Sequence, residues 1–310
     1  MIKRTLYFGN PAYLSTTLDQ LVVRFPEVEK NATLPEHFKK EAHANIPIED
    51  IGVIILDHQQ LTITQGLMGK LLVNNTALIT CDATHHPTGL MLNLDGHTLQ
   101  SQRFQAQLQA TEPLKKQLWQ QTIKAKIKNQ SSLLLHQGFD IQNMLHWVES
   151  VKSGDPENLE GRAAAWYWRH FFGASFSFIR HPAGPAPNNL LNYGYAILRA
   201  ITARSLVGSG LLPTVGIFHR NQYNAYCLAD DIMEPYRPFV DRLVLQLITE
   251  EGLSEELTPS VKKKLLVLPT LDVVLQKETS PLMIAMQRTT ASLARCFQGE
   301  TRKIIYPEIE

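Results

Sequence analysis

Cysteine is scarce and scattered. Cys81, Cys227 and Cys296 are the only three in 310 residues, and no two stand in a CxxC pair. That spacing excludes a disulfide framework and a thiolate zinc cluster, and it fits a reducing compartment. Long apolar runs are missing too: none reaches the roughly 18 residues that a membrane span requires. Residues 1–5 lead straight into short mixed segments, with no apolar signal-peptide core. A cytoplasmic protein without membrane contact is the expectation. Net charge is nearly absent, at +1, so any nucleic-acid binding must come from local patches. No internal repeat is visible. What remains is the composition of a globular chain, 44% hydrophobic and 19% charged, long enough for about two domains.

The pattern changes character along the chain. Residues 1–95 read as β-rich. Val53–Leu56 and Ala77–Thr80 are short runs of strand formers, Leu61–Thr64 alternates, and Met91–Leu94 reads as a last strand. Gln65–Val73 reads as a short helix, and residues 27–46 carry no clear pattern. Cys81–Pro87 holds metal-capable residue types but reads best as a polar loop, because adjacent histidines in an extended segment point to opposite sides. Residues 96–104 form a short polar linker. From 105 to 298 the spacing is helical, with helices expected over 113–136, from Pro156, over 189–208, 239–247, 261–266 and 280–298. Residues 299–310 read as a loose tail. The fold class is therefore α+β: a small β-rich N-terminal domain and a larger all-α C-terminal domain.

Chemistry concentrates in residues 218–238. His219 closes the apolar run Thr214–Phe218. A second apolar run, Tyr226–Ala229, precedes Asp230, Asp231 and Glu234. Pro235 and Pro238 are tolerable only in a helix's first turn, so a helix is expected to begin near Asp231–Pro235. A hairpin would return His219 to that point. On spacing alone Asp230 and Asp231 read as helix caps before they read as ligands of a divalent cation. A third ligand candidate is Glu160, which shares a helix face with Ala164, Tyr167 and Phe171. A carboxylate on that apolar face needs a cation, supplied either by an arginine or by a metal.

A basic stretch precedes these residues. Arg103, Lys115, Lys116, Lys124, Lys126 and Lys128 stand against the single acid Glu112, a local net of +5. Lys116, Gln120, Lys124 and Lys128 recur every four residues. The face reads either as solvated surface or as a stripe that contacts phosphates; Arg103, Lys116, Lys124 and Lys128 are the candidate DNA contacts.

Several motifs in order give the chain a likeness. They are Asn158-Leu159-Glu160-Gly161-Arg162-Ala163-Ala164, then Asn189-Leu190-Leu191-Asn192-Tyr193-Gly194-Tyr195. Next come Gly216-Ile217-Phe218-His219, and Leu228-Ala229-Asp230-Asp231-Ile232-Met233-Glu234-Pro235-Tyr236-Arg237-Pro238. Upstream, Ile46–Ile51 and Lys124–Gln130 extend it. Over nearly its whole length the chain resembles the CRISPR-associated Cas-one family, the integrases of spacer acquisition, and within it the type II-like members. The resemblance implies a Mg²⁺- or Mn²⁺-dependent site whose ligands and catalytic groups are Glu160, His219 and Glu234. Asp231 is then an auxiliary or outer-sphere acid. Arg162 and Arg237 are phosphate clamps or carboxylate partners, and Tyr167, Tyr193 and Asn189 are auxiliary. The resemblance further implies a homodimer, with residues 1–95 serving dimerisation or partner contact. A small Cas-two partner dimer, other type II adaptation proteins, prespacer DNA and a CRISPR repeat complete the expected partners. The loop Ala183–Ala186 is small and apolar where the family pattern would put polar DNA contacts.

The chemistry expected of such a site is phosphodiester transesterification, with hydrolysis as its water-driven companion. Two rivals remain open on sequence: a general metal-dependent repair nuclease and a non-catalytic DNA-binding assembly scaffold.

Overall fold

The computed structural model describes residues 3–26, 28, 44–173 and 178–310. Most of the patternless stretch 27–46 lies outside them. The chain divides into two compact units, Met1–Gly96 and His97–Glu310.

The first unit is built on two four-stranded sheets. In one, β1 (Arg4–Phe8), β5 (Ile51–Leu56) and β7 (Ala77–Cys81) run parallel, and β8 (Pro87–Met91) joins β7 antiparallel. In the other, β4 (Ala44–Pro47), β3 (Gln20–Arg24) and β2 (Ala12–Thr17) pair antiparallel, and β6 (Leu61–Ile63) adds parallel to β2. β5 is buried along nearly its whole length, which explains why Val53–Leu56 reads as an unbroken apolar run. The alternating residues Leu14, Leu21 and Val23 bury with Ile51, Ile54 and Leu78 against Leu67 and Leu71 of α1 (Gln65–Val73). The expected strand at Met91–Leu94 lies earlier, as β8, because the turn at Cys81–Pro87 closes a hairpin. Asp82 Oδ1 accepts from the Thr84 and His86 N–H groups at 2.8 and 3.1 Å, so that segment is the polar loop its sequence suggests. His85 reaches the buried Asp57 through Nδ1 at 2.8 Å.

The second unit is mostly helical. The stretch read as linker is partly helix: α2 spans Gln100–Leu108. Then follow α3 (Glu112–His136), α4 (Gln142–Ser150), α5 (Leu159–Phe171), α6 (Asn188–Gly208), α7 (Cys227–Met233), α8 (Arg237–Glu251), α9 (Pro259–Leu265) and α10 (Leu282–Phe297). α6 is buried on every side, by Leu191, Tyr193, Leu198, Ala200 and Leu206 among others; its apolar residues surround it, as a central helix requires. It packs against α7, α8 and α10. Gly194 permits the approach to α8, because a Cβ there would run into Val240. α3 packs against α4, α5 and the turn that joins α7 to α8.

Two expectations need correcting. The unit is not all-α: β9 (Asp272–Leu275) and β10 (Glu278–Pro281) form a hairpin, and Val274 bridges to Glu308. Nor is the closing segment loose. Asn129 of α3 donates through Nδ2 to the carbonyls of Pro235 and Pro307 and accepts from the Ile309 N–H. Thr289 Oγ1 donates to Ile305 O, and Gln121 Oε1 accepts from the Ile304 N–H. Local sequence reads this polar segment as tail because its partners are helical side chains far away in the chain.

Candidate active site

α5 begins at Leu159, later than Pro156. Asp155 and Asn158 both take left-handed backbone angles, so residues 153–158 form a tight turn that Pro156 occupies. The first N–H groups of the helix are still met. Asp155 accepts from Leu159 and Glu160 at 2.9 Å each, and Asn158 Oδ1 accepts from Gly161. This double cap fixes the backbone of Glu160. The Glu160 side chain sits at the edge of the buried face, with Tyr167 and Phe171 fully buried further along it.

Glu234 occupies a short 3₁₀ turn, Glu234–Tyr236, between α7 and α8. Asp230 and Asp231 therefore lie inside α7 and do not cap it. Pro235 and Pro238 both sit in first turns, as their missing N–H groups demand. The expected hairpin does not form. The Ile217 and Phe218 N–H groups donate instead to Asp231 Oδ2, at 2.8 and 2.9 Å, and the His219 N–H donates to Oδ1 at 3.3 Å. A buried side-chain carboxylate thus stands in for a partner strand and folds residues 217–219 around itself.

The same carboxylate orients the imidazole. His219 Nδ1 lies 2.5 Å from Asp231 Oδ1. With Nδ1–H donating, Nε2 is the nitrogen that can ligate. The bond to Asp231 raises the His219 pKa, with the charges of Asp231 and Glu234 adding to it against burial. Asp231 is fully buried and accepts four donors, so it is a positioning group and has no coordination left for an ion. Gly216 lets this fold close: a Cβ there would clash with the His219 carbonyl and stand 2.8 Å from Asp231 Oδ2. Phe218 stacks on Trp119 of α3 with centroids 4.2 Å apart, and the His219 ring stands edge-on to both.

The two glutamates converge on one cation, and it belongs to the chain. Lys126 Nζ pairs with Glu160 Oε1 and stands 2.6 Å from Glu234 Oε2. Arg237 Nε takes the other Glu234 oxygen at 2.9 Å. Burial pushes Glu234 upward, but Arg237 and Lys126 outweigh it and hold the carboxyl below its ordinary range. Burial likewise opposes the charge of Lys126, and Glu234 and Glu160 overcome it. Lys126 counts in sequence only toward the local basic charge, outside the Lys116–Lys128 stripe, yet only 7% of it is exposed. The signal was available: Trp119, Lys126 and Leu133 follow one another at seven-residue spacing on a buried face of α3. The cation that the Glu160 face requires is thus a lysine, where the sequence suggested an arginine or a metal.

The remaining candidates divide. Arg237 is at the site. Arg162 is exposed on α5. Tyr167 donates to Asp241 Oδ2 at 2.9 Å, and Tyr195, which sequence reasoning passed over, donates to Asp241 Oδ1 at 2.5 Å. Arg237 and Arg180 both lie over the Tyr195 ring. Tyr167 therefore reaches the Glu234 partner through Asp241 and Tyr195. Tyr193 is buried near Lys262, and Asn189 donates to the carbonyls of Ser254 and Glu255. The Nδ2 bonds of Asn189 thus run to the backbone of residues 254–255. Of the basic candidates, Arg103 donates to Ser209 O and ties down the end of α6. The Lys116 stem lies against Gly154. Lys124 and Lys128 line a cavity of about 440 Å³ with Lys277 and Lys303.

Among the described residues, no three His, Cys, Asp or Glu side chains stand together closely enough to hold a metal ion. The chemistry of the donors still fits a divalent cation. Two carboxylates already share one positive charge, and an oriented imidazole answers to the charge of Glu234.

Residues 11–267 match the family model described as CRISPR associated protein Cas1. The CRISPR-associated endonuclease Cas1 of Neisseria meningitidis serogroup C (strain 8013) is 35% identical over 272 residues, covering 87% of this chain and 88% of that protein. Among solved structures, a casposase bound to integration product superimposes with a TM-score of 0.76 at 23% identity, covering 98% of this chain and 92% of that one. A Cas6-RT-Cas1–Cas2 complex gives 0.74 at 20% identity, covering all of this chain and 36% of that one. At these identities the structural likeness is one of fold.

Proposed function

The chain belongs to the CRISPR-associated Cas1 family, and from that premise we propose a metal-dependent DNA integrase and endonuclease. It joins the 3′-hydroxyl ends of short DNA duplexes to a CRISPR repeat by phosphodiester transesterification. The observation that carries this reading is the convergence of Glu160 and Glu234 on a single positive charge, from helices separated widely in the chain.

Glu160, Glu234 and Nε2 of His219 would hold Mg²⁺ or Mn²⁺. Such an ion, when bound, activates the attacking hydroxyl and offsets charge on the phosphoryl oxygens. Asp231 keeps His219 in the tautomer that presents Nε2. Arg237 keeps Glu234 ionised and turned toward the site, and Asp241, Tyr167 and Tyr195 hold Arg237 in place from behind. Phe218 against Trp119 supports the His219 backbone with an aromatic stack worth about 0.5–1.5 kcal/mol.

DNA is the substrate class that the neighbouring basic cavity favours. Lys124, Lys128, Lys277 and Lys303 line it beside Glu308 and Glu310, with Lys128 paired to Glu308 at 3.0 Å, and lysine–phosphate contacts weaken steeply with salt. The neighbour's Cas1–Cas2 assembly supports a small Cas2 partner, and a homodimer of this chain beside it is part of the same proposal.

A half-site integration assay on supercoiled DNA tests the reading. Glu234→Ala is expected to abolish strand joining while DNA retention persists. Undiminished joining by that variant refutes the assignment.

A further inference from the structure

Lys126 is a buried lysine whose ammonium pairs with both proposed ligand carboxylates at once. It comes from the middle of α3, the helix that also places Asn129 and Trp119, so its stem is rigidly based. Both carboxylates reach the same nitrogen. Glu160 accepts a directed hydrogen bond from Nζ. Glu234 Oε2 stands 2.6 Å from the same Nζ. Glu234 Oε1 is already committed to Arg237. The space between the carboxylates that a divalent ion needs is therefore the space Nζ occupies. A lysine stem can withdraw from it, since four rotatable bonds carry a compact charge.

We propose that Lys126 is the positioning residue of this site, an internal counter-cation that holds Glu160 and Glu234 together and competes with the metal for them. The inference rests on the metal-dependent reading above. It makes two demands that a merely structural lysine does not. Removing the charge must weaken the metal-free protein, because Glu160 then loses its cation and faces Glu234, which keeps only Arg237. The same change must strengthen metal binding, because the competitor is gone.

The experiment uses the full chain and Mn²⁺ alone, followed by isothermal titration and by electron paramagnetic resonance, with no DNA present. Lys126→Met keeps most of the length of the side chain, one atom short, and removes its charge. It is expected to lower the metal-free Tm and to bind Mn²⁺ about tenfold more tightly than the unaltered protein. Lys126→Arg replaces the movable ammonium with a planar, permanently charged fork and is expected to bind Mn²⁺ about tenfold more weakly. The arginine variant retains the charge pair, so it keeps the proposal testable if the methionine variant does not fold. Mn²⁺ affinity equal to that of the unaltered protein in either folded variant overturns the role of Lys126 and leaves the metal site standing. Failure of the unaltered protein to bind Mn²⁺ in a Glu234-dependent manner overturns both.

Discussion

Replacing Asp241 with asparagine should change how stability depends on pH, and the structure sets the size and sign. Asp241 is buried in α8, with both oxygens accepting from tyrosine hydroxyls. Burial pushes its carboxyl up from an ordinary 3.8 to about 7, while Tyr195, Tyr167 and the two arginines hold it from rising further. The folded protein therefore keeps a proton on Asp241 across a range where the unfolded chain has released it. The resulting stabilisation is fully present below 3.8 and is lost as pH rises through about 7. The full rise corresponds to roughly 4 kcal/mol, of which about 3 kcal/mol falls between about pH 5 and about pH 8. Asp241→Asn preserves shape, and the tyrosine hydroxyls can rotate to suit an amide. It has no proton to lose. The difference in unfolding free energy, variant minus unaltered protein, should then grow by about 3 kcal/mol across that interval. Urea unfolding at several pH values measures it, with tryptophan fluorescence as the signal, because Trp119, Trp147, Trp166 and Trp168 all lie in the second unit. Parallel pH profiles for the two proteins would refute the reasoning.

Two further substitutions probe how the site is held. Asn129→Ala removes three hydrogen bonds that tie the closing segment and the Glu234 turn to α3. The loss should be roughly 3 kcal/mol in urea unfolding, with faster proteolysis beyond residue 299; an unchanged midpoint and cleavage rate would contradict the anchoring. Gly216→Ala places a methyl group against the His219 carbonyl and Asp231. It should cost about 1–3 kcal/mol and reduce strand joining far more than DNA retention. Full joining activity in that variant would show that the loop's closure around Asp231 is dispensable.

Much of this protein could be read locally. Unbroken apolar runs marked β5 and β7, and helical spacing marked α1, α3, α6 and α10, because burial writes its period directly into neighbouring residues. Pro235 and Pro238 located first turns, and the motifs around Glu160 and Glu234 named two carboxylates that the structure brings to one lysine. Readings failed where a residue's partner is distant. Tyr226–Ala229 resembles a strand but begins a helix, since the backbone donors it would have paired with are taken by the Asp231 side chain. The closing segment resembles a tail until Asn129, Gln121 and Thr289 claim its backbone. Lys126 carries the lesson furthest. Its charge places it on the surface by composition, and only the packing of α3 against α5 and the Glu234 turn puts it between two carboxylates. Sequence alone determined the elements and the residue types available for chemistry, because those depend on near neighbours. Tertiary structure decided which charges meet, because the cost of burying a charge depends on partners that chain order does not place beside it.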